Sequence, residues 1–141
     1  MIGFDVKSGS VVAIDFDPKS LIEDDESNLS RRVKKELSAY LSGESKTIDV
    51  PYDIIGTAFE KKVLNAMRLI PYGETVSYQE LGRRVGLENG SRAIGNACAA
   101  NPLPLIFPCH RVVRKNGGLG GFTGGTDIKR SLLRLENPLY E

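Results

Sequence analysis

The chain contains no tryptophan, two cysteines (Cys98 and Cys109) and one histidine (His110) in 141 residues. Two thiols cannot form a disulfide framework, and two thiols with one imidazole fall short of the four ligands of a structural zinc site. Neither a metal nor another cofactor is expected. Long apolar runs are also missing: stretches such as Leu103 to Phe107 stop far short of the roughly 20 residues that cross a bilayer. No membrane partner is expected. The opening Met1-Ile2-Gly3-Phe4-Asp5 lacks the basic segment and long apolar stretch of a secretory signal, so the expected location is a reducing, cytoplasmic compartment. Net charge is nearly absent at +1, yet it is polarised: residues 1–55 carry 7 Lys/Arg against 11 Asp/Glu, and residues 56–141 carry 12 against 7. An acidic segment joined to a basic one suits a protein that turns one part toward an anionic polymer, although chance also produces a gradient of this size.

What is present is enough for a core. Hydrophobic residues make up 40% and charged residues 26%, spread along the whole length. At about 150 residues per domain the chain allows one domain, or a small lobe fused to a larger one. Gly3 to Phe16 reads as a hairpin, because Phe4, Val6, Val11, Val12, Ile14 and Phe16 flank the turn formers Lys7-Ser8-Gly9-Ser10. The acidic cluster Glu23-Asp24-Asp25-Glu26 has no apolar period and reads as a solvated loop. Leu29, Val33, Leu37 and Tyr40/Leu41 then recur at helical spacing up to Gly43, and Ser42 to Tyr52 reads as a connector between lobes.

The second part is expected to be mainly helical. Thr57-x-x-Glu60 and Ser77-x-x-Glu80 both fit the reciprocal capping box. The first helix is predicted to bury Phe59, Val63, Met67 and Ile70 and to break at Pro71-Tyr72-Gly73; the second buries Leu81 and Val85 before Gly86. A third, Arg92 to Ala100, follows the Asn89-Gly90-Ser91 turn and stops at Asn101-Pro102. Two short helices about a glycine-containing turn suggest a helix-turn-helix. The third is rich in small residues, which suits either a narrow groove or close packing on another helix. Leu105-Ile106-Phe107 reads as extended, and the six glycines between Gly117 and Gly125 imply close backbone approach to something, without the Gly-Lys-Ser/Thr of a phosphate loop. A last helix opens at Asp127, runs through Ile128, Leu132 and Leu135, and closes at Glu136. The fold class is therefore α/β, with a small N-terminal hairpin-and-helix lobe over residues 1–50 and a mainly helical lobe over residues 51–141.

Cys109 carries the chemistry of interest, because His110 and Arg111 follow it and both favour a thiolate. A buried structural thiol is the competing reading. In an extended segment neighbouring side chains point to opposite faces, so His110 is expected to reach Cys109 through a water. Cys98, among alanines, reads as small core filler.

Pro108-Cys109-His110-Arg111-Val112-Val113 resembles the signature of the O6-alkylguanine-DNA alkyltransferases, the methylated-DNA–protein-cysteine methyltransferases. The resemblance extends through Pro71-Tyr72-Gly73-Glu74-Thr75-Val76-Ser77-Tyr78, Ser91-Arg92-Ala93-Ile94-Gly95, Asn101-Pro102 and the glycine-rich loop. It implies that Cys109 accepts the alkyl group and keeps it as a thioether, with a relay from Glu136 through His110 and water. Glu136 closes a helix, where a carboxylate opposes the macrodipole, so a compensating partner is expected there. The resemblance further implies that Tyr78 donates to N3 of the departing guanine and crowds the DNA backbone. Arg92 would fill the space of the flipped nucleotide, and Ser91, Ala93 and Gly95 would meet the minor groove. Asn101 would brace the turn before the active-site strand. Pro104, Val112, Phe122, Thr123 and Gly124 would form the pocket, Phe122 standing where the family often has tyrosine. The N-terminal zinc ligands of some members are absent, and Cys109 argues against the alkyltransferase-like relatives, which lack the acceptor.

These residues lead to a monomeric protein that acts once on double-stranded DNA containing O6-alkylguanine. A module that binds the lesion without transfer is the alternative. A helix-turn-helix transcription regulator, indifferent to alkylation, is a third.

Overall fold

The computed structural model describes residues 2–16, 27–122 and 124–140. The acidic cluster Glu23–Glu26 and Thr123 lie outside the described residues. The fold is α/β, with five α-helices and two small two-stranded sheets among the described residues.

Strands β1 (Gly3–Lys7) and β2 (Ser10–Asp15) form the expected antiparallel hairpin. Ser8 and Gly9, at φ 53° and 82°, supply the two positive angles that a tight hairpin turn of matching twist requires. β2 is held on its outer edge as well: Val11 N–H donates to Pro51 O at 2.9 Å, and Asp53 N–H to Val11 O at 3.0 Å. The stretch read as a connector is thus stitched to the sheet, and it is pinned to a helix too. Helix α1 (Asn28–Leu41) starts at the N-cap Ser27 and buries Val33, Leu37 and Tyr40. Its Glu36 accepts from Asp49 N–H at 2.7 Å, while Arg32 donates to Asp49 O at 2.8 Å.

Helix α2 (Ala58–Met67) has the full capping box, with Thr57 and Glu60 each accepting from the other's backbone. It buries Val63 and Met67, but Phe59 is 37% exposed, contrary to the predicted face. β3 (Val76–Ser77) leads into α3 (Tyr78–Arg84), which ends before the turn to α4 (Ser91–Ala99). Ser77 caps α3 by accepting from Glu80 N–H, but the box is only half formed: the Glu80 carboxylate turns to Arg83 and Arg84 instead. α3 and α4 approach closely where Gly82 meets Gly90, whose missing side chain would run into Leu87 Cβ at 2.8 Å.

Beyond α4 the expected extended run is a tight turn. Pro104 bridges Phe107, with Leu105 at φ 77°, a conformation rare for a branched side chain. Cys109–Arg111 then form a single 3₁₀ turn rather than a strand, followed by β4 (Val112–Val113), which pairs in parallel with β3. The pairing of Val76 with Val112 and of Ser77 with Val113 brings the start of α3 beside the 3₁₀ turn. Helix α5 (Thr126–Glu136) buries Lys129, Leu132, Leu133 and Glu136. The predicted stripe of Ile128, Leu132 and Leu135 is therefore rotated, with Ile128 and Leu135 only half-buried. One continuous apolar cluster draws on every segment from Phe4 to Leu132.

Candidate active site

The parallel pair β3/β4 fixes the site, because the residues at its ends face one open cavity of about 400 Å³. Tyr78 enters from the start of α3, and Cys109 from the 3₁₀ turn before β4. α4 contributes Ser91, Gly95, Cys98 and Ala99, which the helical repeat places on one face. The glycine-rich loop closes the other side with Gly120, Gly121 and Phe122. Gly120 sits at φ +75° directly against the Tyr78 ring, so a side chain there has no room. Cys98, read as core filler, is 8% exposed but lines the cavity, so its thiol shares this space with Cys109. Pro104 and Val112 are buried outside this lining, and Gly124 packs against Phe16. Arg92 is exposed at the first turn of α4, with Ala93 half-buried beside it.

Cys109 is 4% exposed. Burial pushes its thiol up to about 11, while the Asn101 amide and the Lys129 ammonium pull the other way. At neutral pH the unliganded site therefore holds a thiol. The expectation that Arg111 favours the anion is corrected by the geometry, because the 3₁₀ turn carries the guanidinium away to Glu136. The cation that influences Cys109 is Lys129, on α5. Its side chain is fully buried, donating to Val112 O at 2.7 Å and Gly121 O at 3.3 Å and reaching Tyr78 Oη at 3.5 Å. Burial lowers the Lys129 pKa, and the two cysteines raise it. Tyr78 is pushed up to about 12, chiefly by burial, so it remains a phenol able to donate. Asn101 braces the approach to the turn: its Nδ2 donates to Phe107 O at 3.0 Å and its Oδ1 accepts from Leu103 N–H at 2.9 Å.

Glu136 gathers donors from four residues in three other parts of the chain. His110 Nε2 lies 2.7 Å from Oε2. Arg111 binds in two-pronged fashion, Nε to Oε1 at 2.8 Å and Nη2 to Oε2 at 2.9 Å, while its Nη1 donates to Ile70 O at 2.7 Å. Tyr40 donates its hydroxyl to Oε2, and Gly73 N–H donates to Oε1 at 3.2 Å. Burial alone would raise the Glu136 pKa, but the hydrogen bonds from His110 and Arg111 hold it well below the carboxylate range. Burial lowers the His110 pKa, with Glu136 opposing. The compensating partner expected for a carboxylate at a helix C-terminus is thus several partners: Tyr40 and Gly73, which sequence reasoning did not assign to the site, and Arg111, which it assigned to the thiol and not to the carboxylate. Lys129 was missed as well. The available signal was its place in α5, where Lys129, Leu132, Leu133 and Glu136 follow helical spacing and put two ionisable residues on the inward face.

A thiol on a cavity wall, with a histidine–carboxylate pair behind it and a phenol donor across from it, can accept a group from an electrophile entering the cavity. Among the described residues no cluster of three or more His, Cys, Asp or Glu side chains is placed to hold a metal ion. No helix among them is long and apolar enough to cross a membrane. Residues 58–138 match the profile of the 6-O-methylguanine DNA methyltransferase DNA-binding domain. The methylated-DNA–protein-cysteine methyltransferase of Methanosarcina acetivorans is 45% identical over 119 residues, 84% of this chain and 75% of that protein. The crystal structure of Mycobacterium tuberculosis OGT in complex with DNA aligns with a TM-score of 0.86 at 33% identity, over 97% of this chain and 87% of that one. S. pombe Atl1, solved with damaged DNA containing O6-carboxymethylguanine, is a more distant likeness, with a TM-score of 0.51 at 30% identity over 55% of this chain and 74% of that one. The chain belongs to the methylated-DNA–protein-cysteine methyltransferase family.

Proposed function

We propose that this protein repairs duplex DNA by direct reversal, moving a methyl or larger alkyl group from O6 of guanine to Cys109. The proton of the thiol passes through water to His110 Nδ1. Sγ then attacks the alkyl carbon in line with the O–C bond; the S–C bond forms as the O–C bond breaks, and the electron pair leaves on the guanine. Tyr78 donates to N3 as negative charge develops there. The thioether has no route back to the thiol, so each molecule acts once.

The target atom lies within the base stack, out of reach of a recessed thiol, so the nucleotide must be flipped into the cavity. In this reading α3 and α4 form a helix-turn-helix whose slim face enters the minor groove. Ser91, Ala93 and Gly95 meet the DNA, and Arg92 occupies the space of the extruded base. Gly95 supports this, since nothing lies within 4 Å of where its side chain would stand. Of the residues that the resemblance assigns to the pocket, Phe122 lines it, and in this reading Pro104 and Val112 back it from the core while Gly124 packs against Phe16; Thr123 is assigned by the resemblance alone. Residues 1–50 serve as a reduced N-terminal lobe and residues 51–141 as the alkyltransferase domain, acting as a monomer in the cytoplasm.

The observation that carries the proposal is the position of Cys109: on the wall of an open cavity, next in the chain to His110, which is paired with Glu136. Incubation with an O6-methylguanine duplex should add one methylene unit of mass to the Cys109 peptide. Cys109→Ser should gain nothing while still binding the duplex. A wild-type protein that binds without any mass gain is instead a lesion-binding module, and one that prefers a single operator sequence regardless of alkylation is a regulator.

A further inference from the structure

The hydrogen bonds around Glu136 reach a residue outside the proposed relay of His110 and Glu136. Tyr40, in the last turn of α1, is 2% exposed. Its hydroxyl donates to Glu136 Oε2, the same oxygen that faces His110, and lies 3.4 Å from His110 Nε2. Proton positions follow from counting. A phenol has one proton to give, and that of Tyr40 goes to the carboxylate, which Arg111 holds as a pure acceptor. Toward His110, Tyr40 can therefore offer only a lone pair. With acceptor oxygens of both Glu136 and Tyr40 beside it, Nε2 must carry the ring proton. Nδ1 is then bare, and it is the one buried side-chain polar atom among the described residues with no hydrogen-bond partner.

We propose that Tyr40 is a positioning residue for alkyl transfer: by donating to Glu136 and presenting a lone pair to His110 Nε2, it holds the carboxylate and the ring in the alignment in which Nε2 is protonated and Nδ1 is left as the base for the Cys109 proton. This rests on the relay proposed above. It makes α1, from the N-terminal segment, part of the active centre rather than a cover over it. The ring of Tyr40 also packs edge-on against Tyr72 at 6.1 Å, a contact that Tyr40→Phe keeps, so the variant isolates the hydroxyl.

Two measurements test it. Transfer from a methylated duplex is followed under single-turnover conditions as a function of DNA concentration. Tyr40→Phe should lower the limiting rate constant about fivefold, the worth of one hydrogen bond, with the half-saturating DNA concentration unchanged. Tyr72→Phe, which loses a hydroxyl aimed at Leu135 O at 3.5 Å and not at the carboxylate, should react like the wild type. Because His110 is the sole histidine of the chain, nitrogen-15 NMR of the untagged protein reads its tautomer without assignment: Nε2 protonated in the wild type and, with Glu136 still accepting at 2.7 Å, in Tyr40→Phe as well. A wild-type limiting rate in Tyr40→Phe overturns the proposal, as does a wild-type ring protonated at Nδ1. The wild-type spectrum keeps the proposal refutable even if the variant does not fold. A wild-type protein with the Nε2–H tautomer that never gains the methyl group would overturn the alkyl-transfer reading itself.

Discussion

Replacing Glu136 with glutamine removes one charge from a site that five donor groups were built around. The amide keeps one acceptor oxygen and adds an NH₂ that must face at least some of the donors from Arg111, His110, Tyr40 and Gly73. The Arg111 side chain is 10% exposed, so its charge loses its counterion where water cannot replace it. Breaking a buried pair from one side costs about 3–5 kcal/mol, which for a domain of this size lowers the melting temperature by roughly 10–15 °C. The same charge sets a pH signature. With its folded pKa depressed, Glu136 contributes stability that is complete above its unfolded value and is lost as the pH falls. In Glu136→Gln that loss cannot occur. Urea unfolding should therefore show a gap between the two proteins that is widest at pH 7 and narrows by about 1.4 kcal/mol per pH unit below about 4.3. A difference under about 1 kcal/mol at pH 7, or a gap that stays constant down to pH 3, would refute the reasoning.

Three further outcomes follow. Since burial raises the Cys109 thiol to about 11, its rate of reaction with iodoacetamide should climb nearly tenfold per pH unit between about 7 and 9; a plateau in that range would show a thiolate already formed in the free protein. Gly120→Ala places a methyl group 2.8 Å from Tyr78 Cε2 at a φ of +75°, and moving the phenol should reduce transfer by about tenfold or more in a protein that still folds; an unchanged single-turnover rate would mean that Tyr78 does not act where it stands. Arg92→Ala should slow repair of duplex DNA more than reaction with free O6-methylguanine, because the exposed side chain is needed only to hold a base out of the stack; equal losses on the two substrates would remove it from flipping.

The hairpin, the helix starts and the family signature around Cys109 were legible in the sequence because each depends on a few neighbouring residues. Ser8-Gly9 accept positive φ, Thr57 and Glu60 cap each other, and the six residues around Cys109 form a contiguous signature. The environment of the thiol was not legible, for a reason of geometry. A two-residue period puts His110 and Arg111 on known faces of a strand, but the 3₁₀ turn breaks that period and sends both side chains to Glu136, 26 and 25 residues away. α5 was misread by a small rotation, enough to hide Lys129.

That hidden residue changes the electrostatics of the site. The buried Arg, Lys, Asp and Glu side chains among the described residues are Arg111, Lys129 and Glu136. Arg111 and Glu136 neutralise each other through two hydrogen bonds, and His110 is kept neutral by burial. Lys129 has carbonyl and phenol oxygens as its hydrogen-bond partners and no carboxylate among them. Burial lowers its pKa and the two cysteines raise it, so negative charge nearby favours its ammonium form. Under the proposed transfer, the groups that would supply that charge are the Cys109 thiolate before attack and a guanine anion against Tyr78 after it. Lys129 and the reacting groups would then stabilise each other's charged forms.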